Sequence, residues 1–279
     1  MARSIAATFE RRVSPSAEWA KRVAYFALVL LATAGVAHRY GLIETFAFLW
    51  TLALVAVLAL LGLVLAIGGF ARLWNHGDKA GHASLVAALL SLLILAPFSF
   101  GAWLYLQLPA LIDISTDLEL PPHFIKAPQF RTDQMNAIRP ITAQSAQLQL
   151  QAYPDLSGRR FDVSPDRVLA ALAPVIAAHG WKVRGRLPAM SLVMELSIEM
   201  ETPTYVLRIP ADAVIRLIGE DEATFVDMRM AMRYGTHDLG SNAYRINAFM
   251  TELAAEIERQ SLQIIDIPPS DGTAPDKTE

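Results

Sequence analysis

Two uninterrupted apolar runs dominate the first half of the chain. Residues 45–70 and 83–108 are each 26 residues long and carry no charge. At about 1.5 Å per residue, a helix of that length reaches roughly 39 Å, more than the ~30 Å hydrocarbon core of a bilayer. Both runs predict transmembrane helices, with Pro97 bending the second. A shorter run, 23–37, is lengthened by Trp19, Lys21 and Arg22 at one end and Tyr40 at the other. It has two readings. The long charged lead and the two spans that follow favour a retained membrane helix, so the chain is expected to cross three times. The rival is a signal peptide cut near Ala32-Thr33-Ala34 or Gly35-Val36-Ala37. Gly62, Gly68 and Gly69 are positions where helices can approach closely.

The pattern changes after residue 110. Leu192, Met194, Leu196, Ile198 and Met200 alternate with Val193, Glu195, Ser197, Glu199 and Glu201. Period 2 predicts a strand with one dry and one wet face. Residues 225–234 repeat it: Val226, Met228, Met230, Met232 and Tyr234 on one side, Asp227, Arg229 and Arg233 on the other. Segments 181–186, 205–209 and 213–218 read as further strands, with Pro210 between the last two. A helix is expected from Ser164-Pro165-Asp166 to Gly180, kinked at Pro174. Another follows Gly240-Ser241-Asn242, with Ile246, Phe249, Met250, Leu253 and Ile257 as its apolar stripe. Together these elements predict an α+β protein. Three N-terminal transmembrane helices precede an antiparallel sheet of four or five strands, packed on one face by helices. The divisions are a cytoplasmic basic tail (1–22), a membrane anchor (23–108), a Pro-rich extended connector (109–140), the α+β domain (141–267) and a disordered tail (268–279).

Charge sharpens this division. The chain has 279 residues, 18% of them charged and 53% apolar, against about 25% charged in soluble domains. Residues 1–22 hold five basic side chains, the loop after the first span has Arg39, the next has Arg72 and Lys79, and Lys126 is the first basic residue after the third span. That asymmetry places the N-terminus in the cytoplasm and the C-terminal domain outside, in the periplasm of a Gram-negative cell envelope. The expected partners are the lipid bilayer and an envelope ligand or protein. A net charge of −3 gives no basis for nucleic-acid binding. The absence of cysteine excludes disulfides and thiolate chemistry.

No hydrolase, metalloprotease, phosphate-loop or dinucleotide signature occurs, and the six histidines lack metal-ligand spacing. No metal or cofactor is expected. His179, at a helix end, is expected to meet backbone carbonyls. The most polar constellation is Asp227, Arg229, Arg233, His237, Asp238, Asn242 and Arg245. It reads either as an anion or polar-ligand site with arginine clamps, or as an exposed charge ladder with Glu195 and Glu199 opposite the arginines. In the second reading Asp238 or Ser241 caps the last helix, and His237 is an exposed loop residue. A second cluster, Asp113, Ser115, Thr116 and Asp117, reads as a turn rather than a cation site.

Asp113-Ile114-Ser115-Thr116-Asp117, Pro121-Pro122-x-Phe124 and Tyr153-Pro154, in that order, resemble the opening of domain-of-unknown-function family 1499. Phe225-Val226-Asp227-x-Arg229, Arg233-x-Gly235, Asp238-Leu239-Gly240-x-Asn242 and Arg245-Ile246 resemble its closing signature. Members tend to carry serines between the two arginines, where this chain has Met230 and Met232. The resemblance implies a domain that often follows membrane helices and has no settled activity or cofactor. Two functions are therefore expected to compete. One is a membrane-anchored extracytoplasmic binding or scaffold domain without catalysis. The other is a periplasmic hydrolase or transferase acting on an anionic substrate through Arg229, Arg233, His237 and Asp238.

Overall fold

A computed structural model describes residues 14–188, 195–220 and 222–265. The basic N-terminal tail, the C-terminal tail, and Leu192, Val193 and Met194 fall wholly or largely outside these residues. The chain divides into two compact units, one of Met1–Leu108 with Tyr205–Ile209, the other of Pro109–Thr204 and Pro210–Glu279.

The first unit holds α1 (Pro15–Arg39), α2 (Thr45–His76) and α3 (Gly81–Gln107), three helices long and apolar enough to cross a membrane. The helix α3 runs through Pro97 without interruption. Small residues line their contacts. On α1, Ala17, Ala20, Ala24, Ala27 and Ala34 are buried; on α2, Ala59, Gly62, Ala66 and Gly69; on α3, Ser84, Ala87 and Ser91. Their spacing of three and four keeps one seam along each helix. A Cβ at Gly69 would lie 3.1 Å from the Ala17 Cβ and 2.2 Å from the Ser84 Oγ, so only glycine permits this approach. Gly62 meets Ser91 and Ala24 in the same way, whereas Gly68 has nothing within 4 Å.

The second unit is built on one antiparallel sheet of six strands, one more than the upper expectation. Four are long: β3 (Lys182–Pro188), β4 (Glu195–Glu201), β5 (Ala211–Glu220) and β6 (Ala223–Met232). Two have three residues each: β1 (Asp113–Ser115) and β2 (Arg159–Phe161). The order is β1-β6-β5-β4-β3, with β2 also on β6. Since β1 pairs with 229–231 and β2 with 224–226, they form one edge strand interrupted by residues 116–158. Three-residue strands are too short to show a periodicity, so the connector concealed β1. The segment Tyr205–Ile209 is not a strand: it is the turn between β4 and β5.

Alternation sorts the two faces as expected. Val226, Met228 and Met230 share one with Ala213, Ile215, Leu217, Ile198, Met200 and Ile114. That face is covered by α5 (Pro165–Ala178) and α6 (Ser241–Ile265), through Val168, Leu172, Ile176, Ile246, Phe249 and Leu253. Pro174 does not interrupt α5. His179, just beyond it, places Nε2 2.8 Å from a Glu252 carboxylate oxygen, and its ring lies against Trp181.

The opposite face is not wet. The connector crosses it as a strap that includes a 3₁₀ turn (Ala127–Phe130), and Phe124 and Ala127 pack on Val214 and Ala231. A helix the apolar pattern did not announce, α4 (Ala143–Ala152), follows with a Thr142–Ser145 capping box. Its Gln149 amide is buried and exchanges both hydrogen bonds with the Ser115 backbone, standing in for a missing strand.

Candidate functional site

The strap-covered face carries the charges. In the β-sheet register Glu199, Val214 and Arg229 lie side by side, as do Ser197, Arg216 and Asp227, and Glu201 and Asp212. Directly opposed residues share a face, so four charges of this layer, Asp212, Arg216, Asp227 and Arg229, come from β5 and β6 alone. Arg229 is 4% exposed and Asp227, Glu199 and Asp212 are each at 2% or less. The solvated ladder of the sequence reading is therefore a buried ion-pair layer. Its pairings also differ from those expected. Glu195 pairs with no arginine among the described residues. Glu199 accepts from Ile125, Lys126 and Ala127 N–H groups at 2.6–3.0 Å. It thus neutralises the positive end of the 3₁₀ turn and pins the strap to the sheet.

The arginines find their partners elsewhere. Arg229 clasps Asp113 with two parallel bonds of 2.8 Å, donates to the carbonyls of Pro122 and Arg139, and stacks over Phe124. Arg216 reaches Asp117 at 2.8 Å and Asp227 at 2.6 Å, and donates to the Leu120 carbonyl. Arg233 holds Asp212 at 2.6 Å and Glu201 at 3.2 Å. Arg131, arriving from the strap, donates to Asp212 at 2.8 and 3.0 Å and to the Ala231 carbonyl. Arg184 pairs with Glu201 over the ring of Phe130. The two clusters that looked separate in the sequence, Asp113/Asp117 and Asp227/Arg229/Arg233, are one network. Asp117 also accepts from Glu119 and Leu120 N–H, the turn expected there.

The electrostatics follow from burial against pairing. Burial would raise Asp117 and Glu201, but hydrogen bonds and the neighbouring arginines outweigh it and hold both below the usual range. Burial pushes Arg131 down against the pull of Asp212. For Arg233 burial acts the same way, yet Asp212 and Glu201 prevail and raise it. Five guanidinium groups thus meet five carboxylates, and each of the five is held by at least one. Among the described residues, Arg184 Nε and Arg216 Nε are buried without an acceptor.

The remaining candidates stand apart from this layer. Asp238 accepts from the Gly240 and Asn242 N–H groups, both at 3.0 Å, organising the entry to α6 as expected. Burial raises it above the usual carboxylate range despite those bonds. The His237 side chain is only 4% exposed, not the open loop residue expected, and its Nδ1 accepts from Leu239 N–H at 2.8 Å. With Nδ1 so engaged, its 4.0 Å separation from the Asp238 carboxylate is proximity, not a proton-sharing pair. Asn242 donates weakly to the Ile112 and Met230 carbonyls. Arg245, on α6 and 1% exposed, donates to the Thr202 carbonyl and lies over Trp181. Arg229 and Arg233 thus donate to carboxylates, Arg229 to two backbone carbonyls as well, while His237 Nδ1 and the Asp238 carboxylate accept from backbone N–H groups.

Sequence reasoning missed Arg131, Arg184, Glu201, Asp212, Arg216 and Gln149 as members of the site. Asp212 and Arg216 left a signal, two charges on one period-2 set inside an otherwise apolar strand, but Arg131 and Gln149 left none. Three open clefts flank the strap, of about 660, 390 and 170 Å³. Exposed Arg139 borders all three, and its side chain has no hydrogen bond or ion pair among the described residues.

Three membrane-length helices and a strapped, ion-paired α+β domain define the class: a sheet domain preceded by helices long and apolar enough to cross a membrane. The chain belongs to the family described as "Protein of unknown function (DUF1499)", which matches over residues 113–253. The match starts at β1 and ends within α6, enclosing the whole charge layer. No curated protein and no solved structure matches the chain.

Proposed function

We propose that the protein is a membrane-anchored binding or scaffold domain that works outside the cytoplasm and without catalysis. One observation carries the reading. Each arginine of the layer is already held by a carboxylate of the protein itself, so the clamps an anionic substrate would need are spent on fixing the strap. The strap in turn shapes the clefts around Arg139, whose guanidinium remains open to a ligand. The helices support the anchor: Val57, Val64, Ile67 and Leu93 are all at least 60% exposed, as lipid-facing side chains are.

The test compares two variants for complementation of a deletion strain. Arg139→Ala is expected to melt normally and fail to complement. The double variant Asp113→Leu/Arg229→Met is expected to melt lower and still complement. A double variant that folds but loses all function would make the pair a working site and return the hydrolase or transferase reading.

A further inference from the structure

The turn between β4 and β5 is anomalous for a surface loop. Tyr205 is 52% exposed, Val206 84% and Leu207 40%, three consecutive large apolar residues facing outward. Nothing loose underlies this. Thr202 N–H donates to the Ala211 carbonyl at 2.8 Å, which closes the base, and Pro203 and Pro210 stiffen both arms. Arg208 holds φ at 54°, a left-handed conformation that a non-glycine residue adopts at a cost.

Charge supports a specific occupant. Residues 202–211 contain no acidic side chain, although the half of the chain they belong to is net negative. The acids at the base, Glu201 and Asp212, are both neutralised by arginines. Arg208 is exposed and has no ion pair among the described residues. An aromatic hydroxyl, branched aliphatics and a lone arginine are the composition of segments that lie at a lipid–water boundary. Only residues 108–112 lie between α3 and β1, a tether of at most about 22 Å, so a bilayer surface is within reach of the domain.

We propose that Tyr205–Ile209 inserts into the interfacial layer of the bilayer, with Val206 and Leu207 among the upper acyl chains and Arg208 at the lipid phosphates. This rests on the reading of the helices as membrane spans. It adds a lipid-binding site, and with it a second contact between the domain and the bilayer besides the covalent one.

The chain has no cysteine, so Val206→Cys accepts a single environment-sensitive fluorophore, and at this exposed position it removes no core contact. The full chain is reconstituted in phosphatidylcholine–phosphatidylglycerol vesicles, with Val57→Cys and Leu262→Cys as references. The Val206 label is expected to lose fluorescence to lipids brominated near the headgroup and to be shielded from iodide. The Val57 label is expected to respond to bromines near the chain terminus, and the Leu262 label to iodide alone. A Val206 label open to iodide and silent to brominated lipid overturns the proposal. So does one shielded from both, which would mean a protein partner or a second copy. Lipid quenching at Val57 without quenching at Val206 defeats the loop alone, whereas none at either position defeats the membrane-spanning reading as well.

Discussion

Asp238 shows how one carboxylate sets a junction. It ties Gly240 and Asn242 as the chain passes through the left-handed Leu239 and Gly240, at φ 53° and 75°. Asp238→Ala is therefore expected to lower stability by about 0.5–2 kcal/mol. His237→Ala is expected to cost about 1 kcal/mol, because the buried imidazole is the acceptor for Leu239 N–H. Thermal melts of the two variants check this, and a silent His237→Ala would refute the second part. The paired carboxylates set the pH response. Asp117 and Glu201 are held below their ordinary values of 3.8 and 4.5. Their contribution is fully present above those values and is lost as pH falls through the depressed folded ones. Asp238 is raised, so its contribution has the opposite sign: complete below 3.8 and lost as pH rises through its folded value. Melting temperature is expected to fall as pH drops below 4.5, and Glu201→Gln to flatten that slope.

Among the elements, the helices and the sheet reach close packing by different means. The seam of α1, α2 and α3 depends on having almost no side chain. Gly69→Ala must displace Ser84 and the α1 backbone around Ala17, at a cost of about 1–3 kcal/mol. Gly68→Ala meets nothing within 4 Å and is expected to be neutral. Denaturant titration of the full chain in detergent separates the two. In the sheet, β6 is the central organiser. Its apolar set packs on α5 and α6, and its charged set holds the strap and, through Asp113, the edge strand β1. Gly158 belongs to the same assembly. A Cβ there would lie 2.5 Å from the Asp227 Oδ1 and 2.7 Å from the Phe225 ring, so the chain can enter β2 closely only with glycine.

For the whole molecule, the expected topology is an N-terminus in the cytoplasm and a sheet domain outside. Alkaline phosphatase fused after Gly272 is expected to be active and at Asp78 inactive; the reverse would overturn the charge asymmetry on which the topology rests. A buried ion-pair layer contributes to the domain less through net energy than through uniqueness. Solvent-stripped pairs gain little over apolar packing, yet removing one partner costs about 3–5 kcal/mol. Arg229 and Arg216 reach the strap carbonyls, and Arg131 of the strap reaches Asp212, only when the strap lies in one position, so the layer selects a single arrangement of a proline-rich segment that has few apolar contacts of its own.

By itself the sequence determined the elements whose pattern is long and periodic. The charge-free runs dictate α2 and α3 because a bilayer-length helix is a matter of length and polarity. The alternation in β4 and β6 dictates which side chains share a face, and Asp238-Leu239-Gly240 with the Ile246 stripe dictates a strand-to-helix junction. Only the tertiary structure decided what covers each face. Arg229 and Glu199 read as wet because charges usually are; they are buried because Asp113 and the Ile125–Ala127 backbone, more than 70 residues away in the chain, come to meet them. Such pairing depends on where the strap returns. Proline-rich, aperiodic chain encodes that return in specific contacts rather than in a repeat that can be read along the sequence.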